Sequence, residues 1–65
     1  MTKYPEVKVK LSGEDGNAFA VLGQVKSAMR RAGIAQEEIS AFIKEATSGN
    51  YDELISTCMK WVEVE

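Results

Sequence analysis

The chain has 65 residues, 45% of them hydrophobic and 28% charged, with eight basic and ten acidic side chains, a net charge of −2 and no histidine. That length admits one domain over residues 1–65, which buries only about 60% of the surface its unfolded form exposes. Cys58 is the single cysteine, so an intramolecular disulfide is excluded, and a structural zinc site, with about four soft ligands, cannot be assembled.

The opening Met1-Thr2-Lys3-Tyr4-Pro5-Glu6 lacks the apolar stretch of a signal peptide, and no run approaches membrane-spanning length. The expectation is a cytosolic protein with no membrane partner. A weak negative charge disfavours nucleic acid without barring it.

Glu6 to Leu11 alternates: Val7, Val9 and Leu11 face one way, Glu6, Lys8 and Lys10 the other. This pattern predicts a half-buried strand, with Pro5 just before its start. Ser12-Gly13-Glu14-Asp15-Gly16-Asn17 breaks it, two glycines among polar residues.

From Ala18 the period becomes helical. Ala18, Val21, Leu22, Val25, Ala28, Met29 and Ala32 share one face, at three- and four-residue spacing. Asp15 or Asn17 can cap the start, Gly33 can end it, and Arg30 and Arg31 in the last turn complement the helix dipole. A second helix is predicted from about Gln36 to Thr47, burying Ile39, Phe42, Ile43 and Ala46. Ala35 would be its cap, a poor one, with Ile34 stapling onto Ile39.

Asn50-Tyr51-Asp52-Glu53 is a strong start signal, an Asn cap followed three residues on by Glu. Tyr51, Leu54, Ile55, Cys58, Met59 and Val62 then repeat along one face. Trp61-Val62-Glu63-Val64-Glu65 returns to alternation, so helix should give way to strand near Lys60. The expected architecture is an α/β (α+β) mini-domain in the order β-α-α-α-β, its terminal strands paired and packed on three helices. Lys8 and Lys10 could oppose Glu63 and Glu65 across that pairing. Counting reversals makes the strands parallel, unless a crosswise middle helix undoes the count. Two strands leave two open edges, and a homodimer through one of them is an attractive arrangement.

Catalysis has little support in these residues. The usual general base is absent, and Cys58 falls on an apolar helix face, where a cysteine ordinarily packs. No nucleophile elbow or paired-acid spacing stands out. The chain is expected to be no enzyme, with no catalytic residue, metal or cofactor. The 12–17 loop enters a helix as anion-binding loops do, but Glu14 and Asp15 would repel a phosphate and no P-loop lysine follows. The carboxylate spacing of a calcium loop is missing too.

Phe19 falls off the Val21/Val25/Met29 stripe and beside Gly23, Lys26 and Arg30. An aromatic side chain next to a glycine and two cations suits contact with a protein or with a small anionic ligand; alternatively, Phe19 packs under a strand or the second helix. Phe19, Lys26 and Arg30 are the candidate binding residues.

Three resemblances accompany this reading. Gly33-Ile34-Ala35-Gln36-Glu37-Glu38-Ile39-Ser40-Ala41-Phe42 resembles the turn and recognition helix of helix-turn-helix proteins, which implies a DNA-binding regulator reading the major groove from the residues near Gln36. Glu37 and Glu38 would there face phosphates. Ala46-Thr47-Ser48-Gly49-Asn50-Tyr51-Asp52-Glu53-Leu54 resembles the junction of the last two helices of ubiquitin-associated domains, a family without flanking strands. Through residues 9–19 and 57–65 the chain resembles short uncharacterised bacterial and phage-encoded proteins, which implies a phage or prophage setting and no activity. The leading expectation is thus a small accessory binding protein, the alternative a helix-turn-helix-like regulator.

Overall fold

The computed structural model describes residues 2–11 and 17–65. The chain runs β1 (Tyr4–Val9), α1 (Ala18–Arg31), α2 (Gln36–Ala46), α3 (Tyr51–Trp61) and β2 (Val62–Val64). The strands form a two-stranded parallel sheet, so the α+β order and the parallel count both hold. The turn expected over residues 12–16 lies outside the described residues.

β1 begins and ends two residues earlier than the alternation suggests. Pro5 is inside it, and the register with β2 is irregular between Tyr4 and Lys8. An irregular stretch of ladder is where a residue without an N–H is tolerated. Val7 and Val9 are buried as expected, while Leu11 lies past the strand and only packs against the core. The ladder is closed at its two ends by the Lys3 N–H donating to the Lys60 carbonyl and the Glu65 N–H donating to the Val9 carbonyl, both 2.8 Å. Lys8 stands opposite Glu63 in register, as charge complementarity predicts. Among the described residues the ion pair nevertheless forms elsewhere, between Lys3 Nζ and Glu38 Oε1 at 2.7 Å.

The helices start and stop where local chemistry dictates. Asn17 Oδ1 accepts from the Ala20 N–H at 3.0 Å and so satisfies one of the orphan donors of α1. Gly33, at φ 83°, turns the chain out of α1 in the left-handed region that favours glycine. Ala35 offers no side-chain bond to the start of α2. Asn50 and Glu53 complete a reciprocal capping box at the start of α3, in which Asn50 Oδ1 accepts from the Glu53 N–H at 2.9 Å and Glu53 Oε1 accepts from the Asn50 N–H at 3.2 Å.

One core joins all five elements: Val7 and Val9 of β1, Val21, Val25 and Met29 of α1, Ile39, Phe42 and Ala46 of α2, Leu54, Cys58 and Trp61 of α3, and Val62 of β2. Ile43, expected inside, is only partly buried, and Ala32 is exposed at the C-cap of α1. The apolar face of α3 also differs from expectation. Met59 is 56% exposed, whereas Trp61 is 8% exposed. At about 100° per residue, Leu54, Cys58 and Trp61 fall within one narrow arc and Met59 lies well outside it. Thr57 borders that arc and is buried, its hydroxyl donating to the Glu53 carbonyl at 2.8 Å.

A polar and aromatic cluster ties β1 to α2 and α3. Tyr4 Oη donates to Glu38 Oε1 at 2.8 Å, beside the Lys3–Glu38 pair. Trp61 Nε1 donates to Glu45 Oε1 at 3.2 Å. The Trp61 ring meets Phe42 edge-on at 5.8 Å and Tyr4 at 6.2 Å, and Lys3 Nζ lies 4.4 Å from its centroid. The two hydrogen bonds hold the Glu38 carboxyl below its usual range, that from Lys3 first and that from Tyr4 second, and burial opposes them.

Candidate functional site

No helix among the described residues is long and apolar enough to cross a membrane. The surface features that stand out instead lie along α1, on either side of one exposed crest.

Phe19 is that crest's N-terminal end, and it is 88% exposed. Its alternative, packing under a strand or α2, does not occur. The stripe Val21, Val25, Met29 points into the core; Phe19 is displaced from the centre of that stripe by about 120° on the helical wheel. Lys26 and Arg30 follow it seven and eleven residues on. These positions return to nearly the same angle, with Lys26 half-buried and Arg30 exposed. The three predicted contact residues therefore share one line of the helix. They do not share one pocket, because eleven residues of helix rise roughly 16 Å. A single small ring stacked on Phe19 is out of reach of Arg30, whereas an extended partner surface can touch both.

On one side of the crest is an apolar groove of about 210 Å³. Ala18, Phe19 and Leu22 form one wall; Ala46, Tyr51 and Leu54 belong to the other, with Gly49 and Asn50 at the rim. The local sequence places these residues. Ala46 ends α2, Asn50 caps α3, and the capping box fixes where Tyr51 emerges. The second wall is absent from the predicted contact set. Tyr51 and Leu54 follow the core periodicity of α3, so their contribution to a groove is visible only once α3 is seated against α1.

On the other side is a basic cleft of about 400 Å³ between β1 and α1, lined by Lys8, Val9, Lys10, Gly23, Gln24, Ser27 and Arg31. It continues along β1 past Glu6, Val7 and Lys8, against Ala28, Arg31 and Ala32. By sequence alone, Lys8 and Lys10 belong to the β2 pairing and Arg31 to the helix dipole. One signal was available: Gly23, Ser27 and Arg31 recur every four residues, which puts two small side chains and a cation on one flank of α1.

Cys58 is a core residue, completely buried, and burial pushes its thiol up to about 11. It stays protonated at neutral pH, unsuited to nucleophilic work. In the N-terminal turn of α2, which the helix-turn-helix resemblance would place in a DNA groove, Glu38 receives Tyr4 and Lys3 from the β1 side, while Gln36 and Glu37 are exposed.

Compared with known proteins, the chain matches no family model, no curated protein and no solved structure.

Proposed function

We propose that this is a small non-enzymatic accessory binding protein that acts by contact with a protein partner through the Phe19 crest of α1 and the apolar groove beside it. The observation that carries the reading is Phe19, 88% exposed on a well-capped helix whose Val21, Val25 and Met29 are buried. An exposed aromatic at the lip of an apolar groove is a typical anchor for a complementary surface. Lys26 and Arg30, on the same line, favour a partner with carboxylates flanking its apolar insert. The roughly 16 Å span of the crest favours a protein over a small anionic ligand.

A phage or prophage setting and a cytoplasmic location fit a short accessory protein of this kind. A symmetric dimer through β1 is opposed by its own charges, since antiparallel pairing would bring Lys8 and Lys10 of one copy near those of the other. DNA recognition through α2 is opposed by Glu37 and by the internal engagement of Glu38.

The test is a parallel affinity capture from host lysate with the wild type, Phe19→Ala and Lys26→Glu/Arg30→Glu. A partner retained by the wild type and lost from both variants, with far-UV circular dichroism unchanged, supports the reading. Equal retention by all three removes it.

A further inference from the structure

The basic cleft adjoins the open edge of β1, and it differs in character from the Phe19 groove. The sheet has only two strands among the described residues, so the edge of β1 away from β2 carries none. In a parallel ladder a residue's N–H and C=O point to the same side, and those of its neighbours point to the other. Val9 directs its carbonyl to β2, where it accepts from Glu65. The N–H and C=O of Lys8 therefore face the open edge. Below that edge runs the flank of α1 with Gly23, Ser27, Ala28 and Ala32, small residues that leave room under an added strand. A Cβ placed on Gly23 would meet nothing within 4 Å. The charges along the cleft are Lys8, Lys10 and Arg31, against Glu6 at its far end.

We infer that the β1 edge takes an acidic, extended segment of a partner protein as a third strand, with its main chain paired to Lys8, alternate small apolar side chains over Gly23 and Ser27 on the helix face, and alternate carboxylates on the outer face toward Lys8 and Lys10. The intramolecular partner has the same grammar: β2 presents Val62 and Val64 inward and Glu63 outward, opposite Lys8. Strand addition draws affinity from main-chain hydrogen bonds and selectivity from alternate side chains. Here the selectivity is for negative charge, because like charges directly opposite destabilise a pair. An exposed edge is commonly blunted with lysines against self-pairing; the same lysines favour an acidic strand.

The test measures fluorescence anisotropy of a labelled peptide of alternating Val and Glu at low salt, with the folded 65-residue chain. The wild type is expected to bind it, more weakly as salt rises, and to ignore a Val–Lys peptide. Lys8→Glu/Lys10→Glu is expected to weaken binding at least about tenfold. Gly23→Leu, which keeps every charge and favours helix, should do the same by filling the floor. Alternate backbone N-methylation of the peptide should abolish binding, and Phe19→Ala should leave it unchanged, which separates this site from the Phe19 groove. No binding at low salt, equal binding of the N-methylated peptide, tighter binding of duplex DNA, or wild-type self-association that occupies the cleft would each overturn the inference.

Discussion

The surroundings of Trp61 and of Phe19 are the two aromatic regions of this fold, and they are finished differently. Around Trp61 every kind of interaction converges: an edge-on ring from Phe42, a tilted ring from Tyr4, a cation from Lys3 and a carboxylate accepting the indole N–H. Around Phe19 there is a groove and solvent. A chain of 65 residues has little apolar surface to spare. Leaving one of its two phenylalanines outside forgoes about 1.5–3 kcal/mol of burial. The contrast separates an aromatic built into the core from one left at the surface, where the proposed contact would form.

The largest effect expected from this contrast is on the folded side. Trp61→Ala removes a buried indole that ties α3 to β1 and α2 and should cost about 3–5 kcal/mol, enough to leave a domain of this size largely unfolded. Urea titration followed by far-UV circular dichroism reads it without relying on the lost fluorophore. Wild-type-like stability would mean that the cluster around Trp61 contributes little.

Next is the rim of the open region. Asn50→Ala breaks the capping box of α3 and should cost about 1 kcal/mol. Because Asn50 borders the Phe19 groove, amide chemical shifts should change at Tyr51 and Leu54 more than around Trp61. An even spread of shifts would show that the two regions are not independent.

A smaller effect concerns Glu38, held below the usual carboxylate range by Lys3 and Tyr4. A depressed carboxyl contributes stability that is present above its unfolded value, about 4.3, and is lost as pH falls through the folded value. Lys3 and Tyr4 are both raised, chiefly by their hydrogen bonds to Glu38. Their contributions are present below their unfolded values and are lost as pH rises through the folded ones. The cluster should thus weaken at both extremes and stay flat near neutrality. In an NMR titration, Tyr4→Phe should move the Glu38 midpoint upward; an unmoved midpoint would remove Tyr4 from the account.

Much of this fold was legible because its signals are local. The capping box at Asn50 and Glu53, the glycine stop at Gly33 and the switch from period two to helical period each depend on neighbouring residues. The misread positions depend on partners far along the chain. By pattern Trp61 belongs to the closing alternation, yet it completes the arc of Leu54 and Cys58 and finds Glu45 sixteen residues away. Met59 looked apolar enough to be inside and lost that place to Trp61. Phe19 could be singled out because its displacement from the α1 stripe is a property of one helix. The groove beside it, and the cleft joining Lys8 and Lys10 to Arg31, required elements that only tertiary packing brings together.

The central claim is that Phe19 serves contact rather than folding, and the unfolding free energy of Phe19→Ala tests it most directly. Urea denaturation monitored by Trp61 fluorescence should place the variant within about 0.5 kcal/mol of the wild type, the range of exposed positions. A loss of about 2 kcal/mol or more, the cost of removing a packed aromatic, would put Phe19 in the core and contradict the account.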